Sequence, residues 1–444
     1  MNSRFRRSAA FILAICLAFC SCSAVTETAD RLTEAIGLLT GKADKPDWLV
    51  EAEQFDDYAE PIEFYGKYAG DNCLLGKSGV LYERLTDEQK TAYDAMQTAA
   101  QTLNPTAFSV GKCTDTDVAI AFNALLCDMP ELFWLGSSYG MVRYGGNTYV
   151  RFVDDSYGYT CADSVKRAEM AQSLTAAVNE FFAQTDISGR SDYECLLEIY
   201  NWICKNIVYD SAAADSVGDD SQSEYVHSWS VYGALCNGTA VCSGYSEAFQ
   251  YMCRLVGVEC ISVLGDAVDS DGNSEAHQWN AAKIDGKWYY FDPTWDCCDS
   301  GALKVSHIYF GMGYDDLFSD HTPYGGPNQL TEDNISFGNF NLFVPTDRAD
   351  VDYFEQYGIV IKSADEVSTF VNNEALMSGQ PVEIKADLGK QLTDSDVKQL
   401  VDRFVGMFMS RNSKRTYPTG YRMNFSKIEY GYIGKNVFYM KLYN

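Results

Sequence analysis

The chain has 444 residues, of which 46% are hydrophobic and 14% aromatic, so it is long enough for two or three globular domains and too apolar for a disordered polymer. Its formal net charge of −28 repels phosphate backbones and excludes nucleic acid from the expected partners. We interpret the acidity as keeping an exported protein soluble; selection of cationic substrates is the alternative. The sequence has no glycine-rich nucleotide loop and no ligand-spaced histidine and cysteine cluster, so we expect no nucleotide, cofactor or metal.

The N-terminal segment 1–22 follows the plan of a bacterial signal peptide. Three arginines precede an apolar run at 9–19 that is too short to span a membrane comfortably. Cys20 and Cys22 lie where lipoprotein signals place the acylated cysteine, and Cys22 is the better candidate because a small serine precedes it. Cleavage near Ala24 without lipidation is the alternative. The sequence therefore predicts export to the cell surface and a lipid anchor to the membrane.

Four further segments follow the signal peptide. Residues 23–60 are polar with weak periodicity and are predicted to be a linker. Residues 61–187 are predicted to form a helix-rich N-terminal domain with one small hairpin around 145–147. The predicted catalytic domain covers 188–330, and a small α+β domain covers 340–444. The predicted fold class is therefore α+β throughout.

Capping boxes mark the starts of two helices before the functional region. Thr86 with Gln89 predicts a helix that Asn104-Pro105 ends, and Ser191 with Glu194 predicts a helix to about 206. Apolar periodicity predicts two other helices near 115–127 and 162–184. In the C-terminal segment the pattern predicts helices near 364–373 and 393–409, and strands near 381–386, 421–430 and 436–443.

Cys242 lies where a loop is predicted to run into a helix. Ala248, Phe249, Met252 and Leu255 follow it at helical spacing, and Gly257 ends the helix. At a helix N-terminus the unpaired backbone N–H groups and the macrodipole favour a thiolate, the reactive form of cysteine. Because the chain has 15 cysteines, this position alone is weak evidence.

Two strands that follow, His277–Ile284 and Lys287–Pro293, are joined by Asp285-Gly286, which is the favoured two-residue hairpin turn. Counting outward from the turn places Trp279 opposite Asp292, and His277 opposite Thr294. Asp292 is then the diagonal neighbour of His277 on the same face, within reach of its side chain. The sequence thus predicts a hydrogen bond between His277 and Asp292, and the alternative is a hairpin whose histidine and aspartate merely pair on a surface.

With Cys242 upstream, the hairpin completes a candidate catalytic triad. Asp292 would hold the tautomer of His277, and the free nitrogen of the imidazole would activate the thiol. The segments ALCNGTAVCSGYSEAFQYMCRLVGVECISVLGDA and HQWNAAKIDGKWYYFDPTWD resemble the transglutaminase-like superfamily, in the form common among exported bacterial proteins. The resemblance covers about 190–325. It implies a papain-like catalytic domain in which Cys242, His277 and Asp292 are the triad.

The resemblance also implies a group that stabilises the oxyanion beside the cysteine backbone N–H. Trp229 and Tyr232 are both candidates for it, and Trp279 is a candidate for the oxyanion or the substrate. We interpret the other three histidines as packing or capping residues: His227, His307 and His321.

Such a triad performs acyl transfer on protein or peptide amides. Water as the acceptor gives a cysteine protease or amidase, which the resemblance to exported bacterial members favours. A lysine amine as the acceptor gives a protein-crosslinking transglutaminase, and this remains the alternative. A surface binding or scaffold protein that kept the fold without activity is the third hypothesis.

Overall fold

The computed structural model describes residues 73–77, 79–104, 106–135, 139–152, 164–216, 225, 227–269, 272–297, 303–323, 351–357, 359–366, 376, 378–412 and 427–443. The predicted signal peptide, its lipidation residue Cys22 and the linker 23–60 lie outside these ranges and stay predictions. So do most of the helix expected near 364–373 and the first part of the strand expected near 421–430.

The elements used below are numbered in chain order. The helices are α1 Asp87–Gln101, α2 Asp115–Asp128, α3 Ser164–Gln184, α4 Asp192–Asn206, α5 Ser211–Asp215, α6 Cys242–Leu255, α7 Pro293–Asp296, α8 Tyr314–Leu317, α9 Tyr353–Gln356 and α10 Asp394–Asn412. The strands are β1 Phe108–Ser109, β2 Tyr139–Tyr144, β3 Asn147–Phe152, β4 Val208–Tyr209, β5 Thr239–Ala240, β6 Cys260–Val268, β7 Ser274–Ile284, β8 Lys287–Phe291, β9 Phe310–Met312, β10 His321–Pro323, β11 Val360–Ile361, β12 Val382–Ala386, β13 Lys427–Gly434 and β14 Val437–Tyr443.

The chain divides into two compact units. The first is Met1–Thr294 with Tyr314–Thr346, and the second is Trp295–Gly313 with Asp347–Asn444. The described part mixes helices with several sheets, so the α+β fold class is confirmed. The boundaries predicted near residues 187 and 330 stay predictions.

Local sequence signals set the helix starts of the first unit. Both predicted capping boxes are present: the hydroxyls of Thr86 and Ser191 accept backbone N–H groups at the starts of α1 and α4, and Gln89 and Glu194 reciprocate. Thr114 forms a third box with Asp117 at α2, which we did not predict.

Strands of the first unit lie side by side in the order β10-β6-β7-β8, all antiparallel. The β7–β8 turn has Asp285 at φ 48° and Gly286 at φ 80°, which is the left-handed conformation that the Asp-Gly turn requires. Ile284 pairs with Lys287, as predicted, and the ladder runs outward to Asn280 opposite Phe291.

Beyond that pair the prediction is wrong, because the ladder does not continue to the expected Trp279–Asp292 and His277–Thr294 pairs. Pro293 has no N–H to donate to a ladder, and it occupies the first position of α7, which proline favours. The chain therefore leaves the sheet directly after Phe291, and Asp292 lies at the strand end.

Helix α6 packs against β6 and β7 and carries the predicted apolar stripe, whose members are all buried. A short parallel pair, β4 with β5, lies just before it in sequence and places Tyr209 opposite Ala240. None of the helices in the described ranges combines the length and apolar character needed to cross a membrane.

The second unit has its own sheet in the order β11-β12-β14-β13, in which β11 and β12 are parallel and the other pairs antiparallel. The predicted strand near 381–386, helix near 393–409 and strand near 436–443 are confirmed as β12, α10 and β14. A buried pair, His307 Nδ1 with Glu383 Oε1 at 2.7 Å, lies in this core, and Tyr353 stacks on the histidine ring at 3.8 Å.

Candidate active site

The start of α6 is shaped by close approach of the preceding loop. A Cβ on Gly244 would lie 2.9 Å from the carbonyl oxygen of Ser228 and 3.0 Å from that of Ser230, so only glycine admits the loop here. The N-cap residue Val241 supplies no side-chain cap, which leaves the first backbone N–H groups of the helix without that partner. Cys242 is the first residue of the helix and is 4% exposed.

Buried hydrogen bonds fix α6 on the sheet one turn after Cys242. Ser246 Oγ donates to the carbonyl oxygen of Trp279 at 2.9 Å, and Asn280 Nδ2 donates to the carbonyl oxygen of Ser246 at 2.9 Å. Both side chains are fully buried. These bonds attach α6 to β7 at Trp279 and Asn280. They therefore set the position of α6 relative to His277, which lies two residues before Trp279 on the same strand.

The structure brings together the three predicted triad residues. His277 Nε2 lies 2.8 Å from Asp292 Oδ2, which is the hydrogen bond that the hairpin predicts. A hydrogen-bonding influence of Cys242 is among the causes that raise the pKa of the His277 ring. Since Nε2 serves Asp292, Nδ1 is the ring nitrogen left for the thiol. His277 is 3% exposed and Asp292 fully buried, so the contacts are shielded from water.

Three further hydrogen bonds hold Asp292 and the residue after it in place. Its Oδ1 accepts the backbone N–H of Thr294 at 2.9 Å, at the first turn of α7. Its main-chain oxygen accepts the hydroxyl of Tyr200 in α4 at 2.7 Å, and Cys204 Sγ donates to the next carbonyl, that of Pro293, at 3.3 Å. These contacts replace the strand pairing that the sequence predicted.

The electrostatics of the pair favour an imidazolium beside a carboxylate. Burial alone would lower the pKa of His277, but the charge of Asp292 and the hydrogen bonds from Asp292 and Cys242 raise it well above its ordinary value. Burial alone would raise the pKa of Asp292, but the charges and hydrogen bonds of His277 and His321 hold it well below its usual range.

His321, interpreted from sequence as packing or capping, lies in this site. Its Nε2 is 3.2 Å from Asp292 Oδ2 and its Nδ1 is 2.7 Å from Asp320 Oδ1. It is fully buried, with its ring centre 5.5 Å from that of His277. The pairing of β10 with β6, which places His321 opposite Ala267, brings it there.

Among the described residues, possible ligand atoms of His277, Asp292 and His321 lie within 4.8 Å of one another. That spacing would allow all three to contact one metal ion. Here the same atoms make hydrogen bonds at 2.8 and 3.2 Å, which an ion could only replace by removing the shared protons. The three residues therefore form a buried hydrogen-bonded cluster.

Tyr209 is a second residue that we missed. Burial raises the pKa of its phenol well above the ordinary value, and the next largest contribution is the charge of Cys242. Its partner across the β4–β5 pair, Ala240, is two residues before Cys242. The phenol therefore lies close enough to Cys242 to interact with its charge.

The three oxyanion or substrate candidates differ in their surroundings. The carbonyl oxygen of Trp229 accepts Ser243 Oγ at 2.9 Å, and its indole Nε1 is buried and has no hydrogen-bond partner within the described residues. The ring of Tyr232 instead stacks on Phe133 with centroids 5.2 Å apart. Trp279 is fully buried, and a Cβ on Gly265 would lie 2.5 Å from its Cη2, so its ring belongs to the core beneath the site.

The remaining histidines pack as predicted. His227 lies against the ring of Tyr232 at 5.2 Å, and burial lowers its pKa. His307 belongs to the second unit, where its backbone N–H also donates to Glu383 at 2.9 Å.

Residues 181–293 match the model of the transglutaminase-like superfamily. The chain contains a transglutaminase-like domain. The matched range includes all three triad residues and ends before His321. Its papain-like arrangement has Cys242 at the start of α6 and His277 on the adjacent sheet.

Two relatives share this transglutaminase-like domain. Kyphoscoliosis peptidase from Mus musculus is 28% identical over 181 residues, which are 38% of this chain and 26% of the relative. The Homo sapiens protein of the same name is 33% identical over 185 residues, which are 38% of this chain and 27% of the relative. The chain thus spans about a quarter of the length of these relatives. A solved structure titled as that of a TGase is similar at 15% identity and a TM-score of 0.27, covering 53% of this chain and 61% of that one.

Proposed function

We propose that the protein is a thiol acyl-transfer enzyme that hydrolyses amides of proteins or peptides. The observation that carries this proposal is the 2.8 Å hydrogen bond between His277 and the buried Asp292, together with Cys242 at a helix start, which influences the pKa of the same histidine. A nucleophile, a base and a group that orients the base are the parts that covalent acyl transfer requires.

In the first half-reaction the Cys242 thiolate attacks the amide carbonyl carbon, and the carbonyl π electrons move to the oxygen. When the tetrahedral intermediate collapses, the C–N bond breaks and the His277 imidazolium gives its proton to the leaving amine. The product is a thioester on Cys242, and His277 is left neutral. Asp292 stays ionised throughout and holds the ring orientation.

The tetrahedral oxygen needs donors on the Cys242 side of the site. The Cys242 backbone N–H lies at the uncapped start of α6, and the unpartnered Trp229 Nε1–H lies in the loop that packs on that start. Of the two upstream candidates we therefore choose Trp229 over Tyr232, whose ring is held against Phe133.

Water completes the cycle by hydrolysis. Neutral His277 takes a proton from water as the oxygen attacks the thioester, the C–S bond breaks, and the thiolate–imidazolium pair is restored. Support for water as the acceptor comes from the name peptidase that both relatives carry. A lysine amine attacking the same thioester would instead crosslink proteins.

The test uses the chain from residue 25, the Cys242→Ala variant and the Cys236→Ala variant as a matched control. Burial raises the pKa of Cys236 to about 12, so its thiol stays protonated and should not matter. Each protein is incubated with a mixture of denatured proteins and a labelled primary amine, and the products are identified by mass spectrometry.

New peptide termini in the wild-type and Cys236→Ala reactions, but not with Cys242→Ala, are the expected result. Label fixed on glutamine would replace hydrolysis by crosslinking as the activity. If the wild type changes no substrate and Cys242 is alkylated no faster than a free thiol, the enzyme proposal is refuted and a binding protein is the better explanation.

We further propose that the protein is exported and lipid-anchored at the cell surface through Cys22. The support is the arginine-then-apolar pattern of residues 1–22. In bacterial expression the wild type should partition into detergent and Cys22→Ala into the aqueous phase, with Cys20→Ala as the control. Equal partitioning of wild type and Cys22→Ala would contradict the anchor.

A further inference from the structure

The ring of His321 contacts two carboxylates, one on each nitrogen. Nε2 lies 3.2 Å from Asp292 Oδ2, and Nδ1 lies 2.7 Å from Asp320 Oδ1. The side chains of His321 and Asp292 are fully buried, and that of Asp320 is 17% exposed. The arrangement therefore lies in the interior of the first unit and not on its surface.

The two contacts favour one protonation state of the ring. An ionised carboxylate can only accept hydrogen bonds, and a neutral imidazole has one donor nitrogen and one acceptor nitrogen. Burial alone would raise the pKa of Asp292, but the charge and hydrogen bond of His277 hold it well below its usual range. Two ionised carboxylates on one ring are both hydrogen-bonded only when both ring nitrogens carry protons, which is the imidazolium form.

We propose that His321 is a positively charged positioning residue that holds Asp292 and sets the pH range in which Cys242 is reactive. The inference rests on the proposed function, because it assigns a role to His321 through the Cys242–His277 pair. In this proposal His321 acts through Asp292 and not on the reacting atoms.

The charges around His321 determine the direction of its effect. Asp320 precedes it in the chain, Asp292 approaches from the end of β8, and the His277 ring on β7 lies 5.5 Å away between centroids. Strand β6 places the apolar Ala267 opposite it and Asp266 opposite Thr322. Glu275 of β7, which pairs with Ala267, adds a carboxyl that interacts electrostatically with His277 and Asp292. The imidazolium therefore offsets part of the negative charge that holds the proton on His277.

Removing this charge should move the reactive range of Cys242 upward in pH. Without the charge of His321, Asp292 attracts the proton of His277 more strongly, so His277 loses it at a higher pH. The site then also has one positive charge fewer to stabilise the Cys242 thiolate, so the thiol ionises at a higher pH. Both limbs of the reactivity profile should then rise by roughly two pH units, from two charges about 5–6 Å apart at an effective dielectric constant of about 20.

The test measures the rate of Cys242 alkylation by iodoacetamide from pH 4 to 10, read on the Cys242 peptide by mass spectrometry. His321→Gln keeps an amide donor toward Asp292 but removes the charge, and His321→Ala removes both. His307→Gln, in the second unit, is the matched control. For His321→Gln we expect a plateau rate within about three-fold of wild type and both limbs shifted upward; for His321→Ala, the same shift and a plateau about ten-fold lower.

Profiles of folded His321→Gln and His321→Ala that superimpose on the wild-type profile would overturn the proposal while leaving the enzyme proposal intact. A wild-type Cys242 with ordinary thiol reactivity would instead refute the proposed function. The two failures are therefore distinguishable without a known substrate.

The protonation of His321 can be tested in the wild-type chain even if the variants do not fold. The sequence has four histidines, so an imidazole-¹⁵N spectrum contains four ring systems. His227→Gln and His307→Gln identify two of them, and the response to alkylation of Cys242 identifies His277. The fourth ring should carry protons on both nitrogens at pH 7; a neutral ring there would overturn the inference.

Discussion

Replacing Trp229 by phenylalanine should lower the catalytic rate much more than it lowers the free energy of unfolding. The indole Nε1–H is buried and has no hydrogen-bond partner in the described residues, so its loss leaves no acceptor unpaired. An unsatisfied buried donor lowers the free energy of unfolding by about 1–3 kcal/mol. Its removal therefore offsets the packing energy that the smaller phenylalanine ring loses. The free energy of unfolding should therefore change by less than about 1 kcal/mol.

The rate should change much more. If Nε1–H donates to the oxyanion, its removal eliminates one of two donors that act only once charge develops on the oxygen. Loss of one such donor lowers kcat by about 10²–10³, or about 2.7–4 kcal/mol of transition-state stabilisation. Since the ground-state carbonyl is held mainly by other contacts, KM should stay nearly constant.

The assay is the steady-state hydrolysis of a peptide found in the mass-spectrometry screen, with urea denaturation of the same samples. Tyr232→Phe is the control, because it removes the hydroxyl of the competing candidate while keeping a ring to stack on Phe133. An unchanged kcat in Trp229→Phe, or a loss of kcat in Tyr232→Phe instead, would refute the assignment of Trp229 as the oxyanion donor.

Three other predictions concern stability. Asn280→Ala removes buried hydrogen bonds to the carbonyls of Ser246 and Ile261, so urea denaturation should show a loss of about 1–3 kcal/mol; no loss would contradict that role. The raised pKa of His277 stabilises the folded state fully below about pH 6.5, and this contribution is lost as the pH rises through the pKa of the folded state. The lowered pKa of Asp292 stabilises the folded state above about pH 4, and this contribution is lost on acidification. The stability difference between wild type and Asp292→Asn should therefore be largest between these limits, and a difference independent of pH would be inconsistent. Arg254→Ala should cost about 3–5 kcal/mol in urea, because it leaves buried Glu131 without its cation, whereas an exposed control, Arg143→Ala, should cost under about 1 kcal/mol.

The parts of the fold that sequence predicts well are those with local causes. The capping boxes at Thr86 and Ser191 depend on residues three apart, and the Asp285-Gly286 turn sets the register from its own backbone conformation. From that register the contact between His277 and Asp292 follows, and it is present. Even so, the contact does not arise from a continuing ladder, because Pro293 ends the strand early.

The parts that sequence could not predict depend on pairing between distant elements. Nothing near His321 in sequence indicates that β10 joins β6, and only this pairing turns a packing residue into a neighbour of Asp292. The Asp320–His321 dipeptide after the Asp292 block was the available signal, but it has no meaning without the strand order. Similarly, the sequence gives no reason to prefer Trp229 or Tyr232 as the oxyanion donor. The structure distinguishes them because Phe133, about a hundred residues earlier, packs against Tyr232.

Described residues that precede the transglutaminase-like domain contact the helix that begins at Cys242. Arg254, at the end of α6, donates to the carbonyl oxygens of Leu74 and Lys77 at 2.7 and 2.8 Å, and Gln250, one turn earlier, donates to that of Cys127 at 2.6 Å. Together with the bonds between Ser246 and the sheet, these contacts hold α6 at three successive turns. Acyl transfer requires reacting atoms placed to within a fraction of an ångström, and a helix held only at its first turn would rotate about that point. In the proposed mechanism, the residues before the transglutaminase-like domain therefore help to position Cys242 through the far end of α6.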